Sequence, residues 1–124
     1  MKMYEILEFS KVYDSIKNEK ISVKTAYKLN KLVKKIEEES NFYNTKFHEI
    51  IEQYAEKDEQ GEYQYLNENS IKIKEGKEQE CYKKISELQN LEIEIPNITF
   101  SIEELESINL TIDMVNILMP FIEE

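Results

Sequence analysis

Between Ser22 and about Glu56 the apolar residues recur at helical spacing without a break. Ala26, Leu29, Val33, Ile36, Ser40, Tyr43, Phe47, Ile50 and Tyr54 follow one another at intervals of 3, 4, 3, 4, 3, 4, 3 and 4. A seam kept in heptad-like phase calls for a helix that packs lengthwise against another helix. Such a helix is roughly 50 Å long at about 1.5 Å per residue, more than a compact domain of this size needs. Part of the seam is therefore expected to meet a folded-back helix or a second chain. Ser22 is placed as the N-cap, because its hydroxyl can accept a hydrogen bond from an open amide of the first turn. The pattern stops at Lys57-Asp58-Glu59-Gln60-Gly61, where Gly61 suits the turn after a helix end.

The rest of the chain reads as cover for that seam. Phe9, Val12, Tyr13 and Ile16 form one stripe of a short helix within residues 3–18. Tyr63 and Tyr65, then Ile71 and Ile73, alternate with polar residues around a turn at Asn67-Glu68-Asn69-Ser70, the pattern of a β-hairpin over 62–74. Two strands alone are marginal in water, so the hairpin needs a helix or third strand behind it. Cys81, Ile85 and Leu88 mark a second amphipathic helix over 77–90, and Leu91 to Ile95 alternates strictly, as a strand does. Ile98 to Phe100 reads as another short strand. Ser101-Ile102-Glu103-Glu104 is a capping box opening a short helix to about Ile108, and Thr111 caps a last helix that Pro120 bends or ends. The expected fold is mainly α (α+β): a single domain over 1–124, with a helical hairpin core at about 22–91 and a C-terminal strand and short helices over 91–124.

Charge narrows the partners. The chain of 124 residues has a formal net charge of −10, and its sixteen basic residues are all lysine. An acidic chain is repelled by nucleic acid and by anionic membranes, and without arginine it lacks the forked donor that reads phosphate and guanine. Neither direct nucleic-acid binding nor a membrane span is expected. The single cysteine, Cys81, allows no internal disulfide and fits a reducing compartment, and the N-terminus shows no signal-peptide pattern. The expected setting is a reducing compartment.

The signs are also segregated. Residues 17–35 carry seven lysines and one acid, whereas no basic residue follows Lys84. With Ala26 in the seam, Lys24, Lys28, Lys31, Lys34 and Lys35 fall on the outer helix positions. They form either an ordinary solvated face or a docking stripe for acidic surface, whether the acidic tail of a neighbouring subunit or another protein. Leu29 and Val33 are the seam residues expected at a subunit interface. Tyr27 and Phe42 lie off the seam and are candidate exposed anchors, with packing against the first helix as the alternative.

Catalytic constellations are not apparent. His48-Glu49-Ile50-Ile51-Glu52 has the opening of a zinc-protease helix, but Glu52 stands where the second histidine is needed. Cys81 sits on an apolar seam and reads as a core thiol. The two glycines, Gly61 and Gly76, make no phosphate-cradling loop. No catalytic residue, metal or cofactor is expected.

Met3-Tyr4-Glu5-Ile6, Val23 to Asn30, Glu87 to Ile95, Ile98 to Glu106 and Leu118-Met119-Pro120-Phe121-Ile122 together resemble, in order and spacing, a family of small, uncharacterised phage and prophage proteins of low-GC Gram-positive bacteria. The resemblance implies a phage origin and supplies no catalytic residues. Small phage proteins commonly serve as virion or assembly components, or bind and inhibit host enzymes. The expected function is non-enzymatic protein–protein association, as a homo-oligomer or with another phage or host protein. The alternative is a phage-encoded inhibitor that lays its acidic surface in the basic groove of a host nucleic-acid enzyme or defence protein.

Overall fold

The computed structural model describes residues 1–123; Glu124, one of the C-terminal acids, lies outside them. The fold is mainly helical with a small antiparallel β element, as the periodicities require. Helices α1 (Met3–Ile16) and α2 (Val23–Tyr54) are followed by strands β1 (Tyr65–Asn67) and β2 (Ser70–Ile71), then α3 (Glu78–Gln89), α4 (Ile102–Leu105) and α5 (Ile112–Leu118). A single 3₁₀ turn, Met119–Phe121, holds Pro120 and ends the last helix. The chain divides into two compact units: residues 1–41 with 92–124, and residues 42–91. The division falls inside α2, between Asn41 and Phe42.

In the first unit the apolar stripe of α1 is fully used. Met3, Ile6, Phe9, Val12 and Ile16 are buried, and the Phe9 ring meets Phe121 edge to face at 5.2 Å. Glu5 accepts a hydrogen bond from the Lys2 amide and closes the helix start. Ser22 caps α2 as expected, its hydroxyl accepting from the Thr25 amide at 3.3 Å. The first half of the α2 seam is corrected at its opening residue only. Ala26 is exposed, while Thr25, Leu32, Val33 and Ile36 are buried and Leu29 is half-buried. Leu32 and Ile36, almost wholly removed from water, each contribute about 1.5–3 kcal/mol by that removal. Ser101 and Glu104 exchange their amide hydrogen bonds in the capping box, and the Thr111 hydroxyl accepts from Met114.

Leu91 to Ile95 does not form a strand of a sheet. It lies alongside the chain start through one bridge, Lys2 to Glu92, with the Ile93 amide donating to the Met1 carbonyl. Alternation sets which faces a strand shows, but a ladder needs an extended partner, and α1 begins at Met3, directly after the bridged Lys2. Ile98 to Phe100 is likewise no strand: Phe100 makes a single parallel bridge to Ile122.

The second unit is organised around a backbone hub. Glu56 donates to the Lys72 carbonyl, Lys72 to Gln64, and Gln64 back to Glu56, each at 2.8–2.9 Å. Three short ladders leave this triangle. Ala55 pairs with Ile73, Lys57 with Tyr63, and β1 with β2 through Tyr65 and Ile71. The expected hairpin is thus present, and the segment leaving α2 supplies the support that two strands alone lack. Gly61 and Gly76, both at φ +80°, make turns that other residues adopt only with strain. α3 runs antiparallel to the second half of α2: the Tyr54 hydroxyl donates to Glu80, and Gln89 donates to the Tyr43 hydroxyl. Cys81 and Leu88 are buried on the facing side of α3.

Candidate interaction surfaces

The lysines of α2 divide between its inner and outer sides. Lys28 lies at the inner edge. Its ammonium donates to the Glu104 carboxylate and to the Thr99 carbonyl, both at 2.9 Å, and lies 5.8 Å from the centre of the Phe100 ring. Glu104 Oε1 also accepts from the Ser101 amide, while its Oε2 is buried without a hydrogen-bond partner. The Ser101 amide and Lys28 together hold this carboxyl at a pKa of about 2. The acidic C-terminal segment that Lys28 was expected to meet in a partner is therefore its own. Lys35 is also engaged, at 3.0 Å from Glu39, and that hydrogen bond raises its pKa.

Two further expectations are corrected by what covers the seam. Val33 is buried and Leu29 faces Ile16, Phe100, Leu105 and Leu118 inside the first unit. Neither is available to a second chain, because the chain's own apolar residues cover this part of the seam. The exposed side of α2 carries something else. Val23, Tyr27 and Lys31 recur every fourth residue and stand above one another over about 12 Å. Val23 is 86% exposed and Tyr27 60% exposed, and the Lys31 ammonium sits 4.5 Å from the centre of the Tyr27 ring. Lys24 and Lys34 are exposed beside them. Of the candidate residues, then, Lys24, Tyr27 and Lys31 share one open ridge, and Lys28, Lys35, Leu29 and Val33 do not belong to it.

Phe42 is exposed, as expected for an anchor, and belongs to the second unit. It borders an open groove of about 400 Å³ with Ile50, Leu88 and Leu91, where Lys46 and Lys84 alternate with Glu49 and Glu87. Mixed charge gives this groove no preference for a partner of one sign.

A surface that the periodicity does not reveal lies at the C-terminal end of the first unit. Ile102, Leu105, Ile108, Leu110, Val115, Met119 and Ile122 line an apolar cleft of about 470 Å³, with Glu106 and Glu123 among its lining residues. Ile102 and Met119 stand out from it, 64% and 52% exposed. Helices α4 and α5 are too short to cover both sides of themselves, and so leave one side open. The only sequence signal was the capping box followed by apolar residues with no basic residue near them.

No family model, curated protein or solved structure matches the chain.

The chemistry of the remaining polar residues is local. His48 is exposed. Glu52 accepts from Lys57 and from the Tyr63 hydroxyl, which together hold its carboxyl below the usual range and push the Tyr63 hydroxyl up. Burial raises the Cys81 thiol and keeps it protonated. Among the described residues no group of three or more histidines, cysteines or acids is placed to hold a metal ion, and no helix is long and apolar enough to cross a membrane.

Proposed function

We propose that this is a non-catalytic protein of phage or prophage origin that acts by protein–protein association, as a virion, assembly or adaptor component. One observation carries the reading. Val23 and Tyr27 present an apolar stripe to water beside the exposed Lys24, Lys31 and Lys34, in a chain that otherwise buries its long seam. A single exposed apolar residue is ordinary; an aligned aromatic and aliphatic pair flanked by charge of one sign suits a partner surface. The contact buries this ridge, while the lysines set orientation and association rate. The test is the solution mass by size exclusion with light scattering, at about 0.15 M and 1 M salt. A mass above 14.9 kDa that Tyr27→Ala lowers supports self-association, whereas a monomer at both salts counts against it.

A second reading rests on the acidic run. Glu92, Glu94, Glu103 and Glu106 are exposed, with no lysine among the residues after Lys84. Such a surface fits a basic groove, and the protein then inhibits a host nucleic-acid enzyme or defence protein. Co-sedimentation of the purified chain with one host protein, lost in Glu103→Lys/Glu106→Lys, supports this reading; sedimentation unchanged by host extract opposes it.

A further inference from the structure

The ridge and the cleft are opposite in charge and alike in their apolar centres. The ridge offers Val23 and Tyr27 beside Lys24 and Lys31, and the cleft offers an apolar lining with Glu106 and Glu123. They cannot meet within one chain. Tyr27 lies about 200° around α2 from Thr25 and from Leu29, at about 100° per residue, and it is those two residues that face the C-terminal segment. We propose that the occupant of the cleft is the ridge of a second copy, so that copies associate head to tail through unlike surfaces. This deepens the association reading and rests on it.

The physical argument is complementarity on the scale of a contact. At about 0.15 M salt the Debye length is roughly 8 Å, so the net charge of −10 repels a second copy weakly at distance while adjacent lysines and glutamates still attract. The apolar centre supplies the affinity, and the charges choose which face meets which. Unlike surfaces on one chain close into a ring or continue as a filament, according to the rotation between neighbours. The contact rests on one ridge of α2 and one cleft. Association is therefore expected in roughly the micromolar range, visible as a mass that rises with protein concentration.

Charge exchange tests this directly. One variant carries Lys24→Glu and Lys31→Glu, the other Glu106→Lys and Glu123→Lys. All four side chains are exposed. Glu123 also accepts from the Thr99 hydroxyl, so circular dichroism and thermal melting of each variant accompany the mass measurement. Each variant alone should weaken self-association by roughly tenfold or more. Mixed one to one, the acidic ridge finds a basic cleft and the basic ridge an acidic cleft, and the mass should recover. The four changes combined in one chain should recover it too. If the wild type assembles and both variants assemble equally well, or if neither the mixture nor the combined variant recovers, the ridge does not occupy the cleft. The association reading then stands on another surface. A wild-type mass fixed at 14.9 kDa at every concentration overturns the second-copy proposal outright.

Discussion

Lys28 and Lys31 are three residues apart on α2, yet they belong to different parts of the protein's physics. Lys28 is wedged between a carbonyl, a carboxylate and a phenyl ring, whereas Lys31 stands in water against Tyr27. Three residues turn the helix by about 300°, which leaves the two side chains about 60° apart around the axis. On the inner side of α2, positions are committed to the fold and a change should be felt as lost stability. On the outer side, positions are committed to nothing inside the chain and a change should be felt only in binding.

The largest effect should come from the centre of the inner side. Leu32 is fully buried, and Leu32→Ala should lower stability by about 2–5 kcal/mol through lost burial and the cavity left behind. Urea denaturation measures this. A loss below about 1 kcal/mol would mean that the inner side is not packed as described.

Lys28→Met comes next and sharpens the comparison through pH. The folded pKa of Glu104, about 2, lies below its ordinary value of 4.5. Its ionised form is favoured by folding, so this contribution is complete above pH 4.5 and drains away as pH falls toward 2. Without Lys28 the pKa should rise, and the melting temperature should be lower at neutral pH and fall less steeply between pH 4.5 and 2. Parallel acid profiles for the two proteins would contradict the pairing.

A smaller effect is expected in the second unit, which rests on turns and a hydrogen-bonded hub. Gly61 has room for a methyl group but sits at φ +80°, so Gly61→Ala should cost about 1 kcal/mol from backbone strain alone. The smallest effect should be on the outer side of α2. Tyr27→Ala should leave thermal stability within about 0.5 kcal/mol of the wild type while reducing the associated mass. A large stability loss there would place Tyr27 in the fold rather than at a contact.

Much of this architecture could be read before the structure. The start and length of α2 followed from Ser22 and an unbroken periodicity, and the caps at Ser101 and Thr111 followed from hydroxyls set before apolar runs. The seam's opening residue was misread because Thr25 and Ala26 are neighbours of similar size, and alanine looked the more apolar. What buries Thr25 is a partner 79 residues away, the Glu104 carbonyl its hydroxyl reaches, and helical periodicity does not carry that information. The hub of Glu56, Gln64 and Lys72 was invisible for a related reason: it is made of backbone groups, which every sequence has. Lys24, Tyr27 and Lys31 were rightly placed outside and Leu29 and Val33 rightly on the seam, whereas Lys28 turns inward and the seam is covered by the chain's own residues rather than by a second copy. The cleft was missed because α4 and α5 are too short to display a period, so their apolar residues resemble core.

The most direct test of the divided helix is the reactivity of its lysines. Acetylation under limiting reagent, read by mass spectrometry at low and at high protein concentration, reports each ammonium separately. Lys28 should react slowly at both concentrations, because its ammonium is held inside the chain. Lys24 and Lys31 should react quickly in dilute solution and become protected as copies associate. If Lys28 reacts as fast as Lys31, or if concentration leaves Lys24 and Lys31 unchanged, the separation of an inner structural side from an outer binding side is wrong.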